Sequence, residues 1–402
     1  MRELLIRLFV FLGPLGNLLT PRIFPSAFRT YYFILLSFPF LLNRLDKKQQ
    51  KLLFLFLPFF LYCLLSSLFV ANFETLNRFC LLLFQFLFVL GAAGYLKSQN
   101  EALTLYLKAF FVSVVVGYIF FLGFYLGAFS FATIERFSVL AQMGYGLLRF
   151  SIGSYPNEYG IVSSFVCAIL LLWLSQREVN LPLSRKVGAF FLVLTWIALL
   201  LTTTRSAYVA CFLSIIYIAC LKKRVFLWAA SLGMAMLAFL KMFNVSILKF
   251  IFFGFNFLQV TQGSMGSRVA LWQEASDEFF SQALWGNGFA SFTDAHNVYL
   301  QLIAELGIVG VLLLTCALIL TFVKRRVLFP WKKRAFNADE LFAKRVRFLG
   351  LMHVLWFAMT NHNLNHHLTW FIFLFYLSHW VLKGAEISQP NRVDNSAQLD
   401  VS

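Results

Sequence analysis

Residues 297–322 read NVYLQLIAELGIVGVLLLTCALILTF, and this stretch decides the fold. Glu305 is its one charged residue, and the stretch exceeds the ~20 residues that a helix needs to cross a bilayer. The rest of the chain is similarly apolar. Hydrophobic residues make up 60% of the 402 residues, and charged residues make up 13%.

This composition excludes several classes of protein. A soluble domain needs about 25% charged residues to cover its surface, about twice the share found here. A water-soluble enzyme, a disordered chain, a secreted disulfide scaffold and a coiled coil are therefore excluded. The six cysteines lie in apolar runs without a CxxC motif, which predicts neither disulfides nor zinc. A polytopic helical membrane protein remains.

We predict an all-α fold with about 12 transmembrane helices in a single integral membrane domain, residues 1–383. The polar residues 384–402 are expected to form a disordered cytoplasmic tail. The predicted spans are the apolar segments 4–20, 29–43, 52–71, 76–96, 104–130, 158–175, 187–203, 206–221, 225–243, 297–322, 348–363 and 366–383.

The distribution of positive charge predicts the orientation. The chain has 34 Lys and Arg against 17 Asp and Glu, a net charge of +17. With the N-terminus inside, 25 basic residues fall in cytoplasmic segments and nine on the other side, as the positive-inside rule requires. Both termini are therefore predicted to be cytoplasmic, and the basic charge does not call for nucleic acid. We expect residues 324–347 to be a basic cytoplasmic linker on anionic lipid.

Two predicted outer segments are long, about 131–157 and about 244–296. Between them, Arg205 follows three threonines at the outer junction of two spans. A guanidinium offers a fork of donors that suits phosphate, so Arg205 is a candidate for an anionic head group. An interfacial arginine that reaches towards water would occupy the same position, and both interpretations stay open.

Arg268 precedes a predicted amphipathic helix with an apolar stripe at helical spacing, formed by Val269, Trp272, Ala275 and Phe279. We expect Arg268 in the first turn, where free backbone N–H groups and the helix dipole attract anions. A cation alone at this position is unfavourable. A bound anion would remove that conflict.

His296 lies just before the tenth predicted span. An imidazole exchanges its proton near neutral pH, which suits a general base, although a residue at a helix start can also be purely structural. Glu305 follows nine residues later, and an intramembrane carboxylate indicates function. A regular helix places it opposite His296, which favours a structural partner unless the helix breaks near Gly307.

The predicted outer turn between the last two spans, residues 361–367, reads NHNLNHH. Histidine-rich turns can bind metal, but no cysteine or carboxylate is near. A polar wall facing a sugar is the better interpretation. We therefore predict no metal site. The chain also lacks GxGxxG and glycine-rich phosphate loops, which argues against ATP-driven transport by this chain alone, and we predict no cofactor.

The motifs resemble the O-antigen ligase and O-antigen polymerase superfamily, mainly over residues 145–312. The TTRSA junction at Arg205 and the GSRxxxW motif at Arg268 are similar to that family's arginine-bearing elements. DAHN at His296, followed by GxxG, is similar to the ligase signature. The stretch from Arg149 to Asn157 also resembles the family's Pro-Asn element before a span.

The resemblance implies a membrane glycosyltransferase of the C-type fold, with a periplasmic helical loop between spans 9 and 10. Such ligases transfer a glycan from undecaprenyl pyrophosphate to the lipid A core, at the periplasmic face of the bacterial inner membrane. By resemblance, Arg205 and Arg268 bind the pyrophosphate and His296 is catalytic. The resemblance and the chemistry together name four supporting residues, Arg149, Asn157, Asn297 and Glu305.

Two alternatives remain at this stage. An O-antigen or exopolysaccharide polymerase shares the lipid-linked donor and differs only in its acceptor, although the His-Asn motif favours the ligase. A lipid-oligosaccharide flippase or other transporter belongs to a different class, and it predicts polar residues deep in many spans. Few are present besides Glu305.

Overall fold

The protein was analysed as a computed structural model, which describes residues 45, 47–70, 72–93, 99–137, 143–144, 147–151, 156–181, 183–222, 224–242, 264–292, 295–323 and 338–360. Its helices are α1 (Lys47–Val70), α2 (Phe73–Ala93), α3 (Gln99–Tyr125), α4 (Phe131–Phe137), α5 (Pro156–Ser175), α6 (Arg185–Leu201), α7 (Arg205–Leu221), α8 (Arg224–Met242), α9 (Ser264–Ser281), α10 (Val298–Val323) and α11 (Ala338–Thr360).

In the described part of the chain, the regular secondary structure is helical apart from one short strand pair. The strands β1 (Met143–Gly144) and β2 (Leu147–Leu148) have two residues each and pair antiparallel. The helical fold class is therefore confirmed, with this small departure from an all-α chain.

Five described helices are long and apolar enough to cross a membrane, namely Gln49–Val70, Phe73–Gly91, Leu103–Tyr125, Pro156–Ser175 and Val298–Thr321. Four more predicted spans, 187–203, 206–221, 225–243 and 348–363, correspond to the helices α6, α7, α8 and α11. The predicted spans 4–20, 29–43 and 366–383 lie outside the described residues, and so does the tail 384–402. The total of twelve therefore stays a prediction.

Helix α5 is the centre of the bundle. Of its candidate span, 89% is buried, whereas the spans in α1 and α3 are less than half buried. It packs against α6, α7 and α11. Tyr159 also stacks on Phe110 of α3 at 5.4 Å between ring centroids, and its hydroxyl lies 3.1 Å from that of Ser113. An all-round apolar sequence suits a helix that is enclosed on every side.

The outer helices of the bundle expose large apolar side chains. Phe54 and Phe69 on α1 and Ile119 and Leu122 on α3 are among them. In water such faces would have to be covered, but a membrane-spanning bundle presents them to lipid. This distribution agrees with the membrane class that the composition predicts.

Helix α11 begins at Ala338, ten residues before the predicted span. Its first part therefore overlaps the predicted cytoplasmic linker 324–347. Phe342, Val346 and Leu349 are buried and recur at helical spacing, so this apolar stripe packs into the protein. Residues 338–347 thus begin a helix that packs into the bundle through this stripe, and their expected position on anionic lipid stays a prediction. Residues 324–337 lie outside the described residues.

Candidate functional site

Helices α6 and α7 are joined by a tight turn of three threonines. Thr202 ends the first helix through its backbone N–H, and its hydroxyl donates to the carbonyl of Leu199 at 2.7 Å. The backbone N–H of Thr204 donates back to the Thr202 hydroxyl at 3.3 Å, and Thr203 has a φ of 51°. Side-chain hydroxyls thus replace the hydrogen bonds that the chain loses where it reverses.

Arg149 braces this turn from outside. Its Nε donates to the carbonyl of Thr202 at 2.8 Å, and its Nη2 donates to the hydroxyl of Thr204 at 3.0 Å. The same Nη2 donates to Asn157 Oδ1 at 2.8 Å. The two residues expected to support the site, Arg149 and Asn157, therefore contact the segment that leads into Arg205.

Arg205 is the first residue of α7 and is half-buried. The unpaired backbone N–H groups of a helix start carry partial positive charge, so a second positive charge there is unfavourable. An anion held by both groups would relieve the repulsion. The sequence predicted a cation in the first turn of a helix at Arg268. In the structure, Arg205 occupies a position of this kind.

Arg268 lies one turn inside α9, which begins at Ser264. The expectation that it occupies the first turn is corrected, because the helix starts four residues earlier. Trp272, one turn further on, donates its indole N–H to the carbonyl of Ala295 at 2.9 Å. Residues four apart share a helix face, so half-buried Arg268 lies on the face that contacts the His296 segment.

His296 is half-buried and has a φ of 48°, in the left-handed region that non-glycine residues rarely adopt. Asn297 follows it and caps α10, because its Oδ1 accepts from the backbone N–H groups of Tyr299 and Leu300 at 3.0 and 3.2 Å. Asn297, expected to support the site, therefore fixes the helix start beside His296. Backbone strain of this kind is frequent at functional sites.

The last two turns of α11 bring the Arg205 and His296 segments to one end of the bundle. Trp356 donates its indole N–H to the carbonyl of Ser206 at 2.8 Å. The hydroxyl of Tyr299 donates to the carbonyl of Leu355 at 3.2 Å. Since α9 is tied to Ala295, the two arginines and His296 belong to one connected region.

Glu305 is buried on α10 at 2% exposure. Gln301 Nε2 donates to its carboxylate at 2.8 Å, and the same Nε2 lies 3.4 Å from the carbonyl of Phe292 in the loop before His296. Glu305 is therefore linked to the loop before His296 through Gln301, and its role as a structural partner stays a prediction.

Three aromatic residues that the sequence did not single out for this purpose connect the site: Trp272, Tyr299 and Trp356. Each donates to a backbone carbonyl of another element. Amphipathic aromatic residues near span ends are the signal that could have drawn attention to them. Within the described residues, no group of three or more His, Cys, Asp and Glu side chains could hold a metal ion. The histidine-rich turn 361–367 lies outside those residues.

The fold and the site define a class: a polytopic helical membrane protein with two arginines and a histidine gathered at one end of its bundle. Residues 190–315 of the chain match the family model described as O-antigen ligase. The matched stretch contains Arg205, Arg268, His296 and Glu305. No curated protein matches the chain.

The match over residues 190–315 supports a coarse function. Members of the matched family are membrane glycosyltransferase-like ligases or polymerases, and the match supports an enzyme of this kind with a role related to lipopolysaccharide. Lipid-linked glycans and lipid A core are the general substrates that the family implies.

Proposed function

We propose that the chain is an O-antigen ligase, which transfers a glycan from undecaprenyl pyrophosphate to the lipid A core oligosaccharide. The observation that carries this proposal is the connection of Arg205, Arg268 and His296 through the end of α11 and the Trp272 contact. Two cations and one proton acceptor are the groups that this reaction requires.

Arg205 and Arg268 bind the pyrophosphate in this proposal. As the glycosidic bond breaks, negative charge develops on the leaving phosphate, and stabilising that charge is the main catalytic need. Guanidinium groups form bidentate, charge-assisted hydrogen bonds to phosphate oxygens. The reaction is proposed to need no metal ion, since the two arginines supply the positive charge.

His296 is the general base. It takes the proton of an acceptor sugar hydroxyl while the hydroxyl oxygen forms a bond to the anomeric carbon of the donor. The bond from that carbon to the phosphate oxygen breaks, and undecaprenyl pyrophosphate leaves with the electron pair. Attack from the face opposite the leaving group inverts the anomeric centre.

The bilayer holds the donor's lipid. The apolar faces of α1 and α3 are exposed, and in a membrane they contact lipid. The polyprenyl chain of the donor is also apolar, so it dissolves in the bilayer beside them. We place the chain in the bacterial inner membrane with both termini in the cytoplasm. The site then faces the periplasm, because the excess of basic residues lies on the other side.

The experiment is a transfer assay with purified protein, lipid-linked glycan and lipid A core. We expect the wild type to form core-linked glycan. The transfer rate of His296→Ala should be lower by about a hundredfold or more. Wild-type activity in His296→Ala would show that the base assignment is wrong. Lengthening of the glycan when lipid A core is omitted would identify a polymerase instead.

A further inference from the structure

Helix α10 is broken at Gly307, where φ is 59° and ψ is −168°. The wedge loop, residues 282–292, fills the break. Before the break, the carbonyls of Ala304 and Glu305 accept from the backbone N–H groups of Asn287 and Gly288 at 3.1 and 2.8 Å. These carbonyls therefore gain partners outside the helix.

The helix beyond the break is also paired with the wedge loop. The backbone N–H of Ile308 donates to the carbonyl of Ala283 at 2.9 Å, and that of Val309 donates to Leu284 at 3.2 Å. Irregular backbone at membrane depth persists only where protein or water satisfies its polar groups. The wedge loop provides hydrogen-bond partners for the backbone groups at the break, so the broken helix is a stable part of this fold.

Helix α1 holds the wedge loop from its other side. The hydroxyl of Tyr62 lies 2.6 Å from the carbonyl of Trp285 and 3.1 Å from that of Leu306. Ser66 Oγ accepts from the backbone N–H of Phe289 at 2.7 Å. The loop is thus fixed between two helices that are more than two hundred residues apart in the sequence.

The carboxylate of Glu305 holds the last part of the wedge loop. It acts through Gln301, which lies one turn earlier on α10. Gln301 Nε2 donates to the same carboxylate at 2.8 Å and lies 3.4 Å from the carbonyl of Phe292. Burying a carboxylate is unfavourable because the group loses its hydration, and the hydrogen bond from Gln301 offsets part of this cost.

The segment after the wedge loop carries His296, four residues beyond Phe292. It is held at both ends, at Phe292 by Gln301, whose amide also donates to Glu305, and at Ala295 by Trp272. We propose that Glu305 is a positioning residue, which sets the left-handed backbone of His296 through the wedge loop. This inference rests on the proposed function for its catalytic consequence, whereas the structural link stands on the contacts alone.

The test compares Glu305→Gln, Glu305→Asp and the exposed control Glu274→Gln on α9. Glu305→Gln removes the negative charge and brings an amide N–H group beside the Nε2 donor of Gln301, which needs an acceptor. We expect kcat for glycan transfer to fall about ten- to hundredfold, since a misplacement of ~1 Å has an effect of that size. Affinity for undecaprenyl pyrophosphate should stay unchanged, Glu305→Asp should recover part of kcat, and the control should match the wild type.

Hydrogen exchange provides a readout that does not depend on activity. Glu305→Gln should raise amide exchange over residues 287–297 and leave α5 and α7 unchanged. Unchanged exchange there, or unchanged kcat in an active enzyme, would overturn the inference. A parallel loss of kcat, ligand affinity and protection in α5 would overturn it too, because it would indicate a general role in folding. Failure of the proposed function is separate: the wild type would then form no core-linked glycan, while the exchange result would still decide the link.

Discussion

The guanidinium of Arg149 donates to oxygens from two segments of the chain. Thr202 and Thr204 belong to the turn before Arg205, and Asn157 lies at the start of the central helix α5. A planar fork of five N–H groups can serve several fixed acceptors at once, whereas an ammonium is a single point of charge. Arg149 therefore orders the backbone from which Arg205 projects.

Replacing Arg149 with lysine should destabilise this turn. We expect Arg149→Lys to lower the free energy of unfolding by about 1–3 kcal/mol, because buried acceptors lose their donors. Thermal denaturation in detergent checks this, with Arg177→Lys as the control at an exposed position just after the other end of α5. Equal midpoints for both variants would show that Arg149 does not hold the turn.

The charged residues of the site could be predicted from the sequence, but their connections could not. Arg205, Arg268 and His296 stand out because few polar residues occur in so apolar a chain. From the sequence, Trp272 could be placed only in the apolar stripe and motif of an outer helix, and Trp356 resembles any aromatic residue near a span end. No sequence pattern shows which carbonyl an indole reaches. Spatial contacts of this kind depend on how helices distant in sequence pack.

Helix α10 shows the corresponding limit for an element. Its apolar run predicts a span over residues 297–322, and the helix observed is Val298–Val323. Hydropathy does not distinguish a continuous helix from a broken one. From the sequence, a break near Gly307 could therefore be mentioned only as an exception. The wedge loop lies in the predicted outer segment 244–296, and its length gave no sign that it enters the helix.

We expect Gly307→Ala to destabilise the protein strongly. Its φ and ψ suit glycine almost alone, and an added Cβ would lie 2.5 Å from the backbone nitrogen of Gly286. Gly233→Ala is the control, since that position in α8 has open space around it. Detergent thermal scans should show a fall of several degrees or more for Gly307→Ala only. Matching scans would contradict the broken-helix account.

Helices α5 and α11 are joined by a buried side-chain pair. His353 Nδ1 lies 2.8 Å from the carbonyl of Leu349, so in the neutral ring Nδ1 donates and Nε2 accepts from Ser164 Oγ at 2.6 Å. This pair fixes α11, whose far end contacts both the Arg205 and the His296 segments.

Ser164→Ala should cost about 1–3 kcal/mol, because it leaves the buried Nε2 of His353 without its donor. Ser163→Ala is a closely matched control: Ser163 is also buried, and among the described residues its hydroxyl bonds only to the carbonyl of Tyr159 in its own helix. Denaturation in detergent should separate the two variants. If Ser163→Ala costs as much, the pair is not a specific link between the helices.

For the whole molecule, composition and charge were sufficient to predict a helical membrane protein. The boundaries of α11 were not predictable from hydropathy, because its first turns carry basic residues together with a buried apolar stripe. Hydropathy averaged along the sequence is lowered by the charged residues and does not reveal the apolar stripe on one face of α11. Packing on one face decides the helix, and that face is visible only in the folded protein.

The orientation of the molecule is a separate prediction. In a variant without native cysteines, Ser281→Cys should react with a membrane-impermeant maleimide added to intact spheroplasts, since α9 is predicted to be periplasmic. Lys222→Cys should react only after permeabilisation, because its exposed side chain lies in a basic cytoplasmic turn. The reverse pattern would place the site in the cytoplasm and contradict the proposed use of a periplasmic acceptor.

The central claim is that Arg205 and Arg268 form one pyrophosphate site, and the affinity for undecaprenyl pyrophosphate tests it most directly. Loss of a hydrogen-bonded charge should weaken binding about tenfold or more in Arg205→Ala and in Arg268→Ala. Binding by His296→Ala and by the distant control Arg177→Ala should equal that of the wild type. Wild-type affinity in both variants at Arg205 and Arg268 would contradict the account.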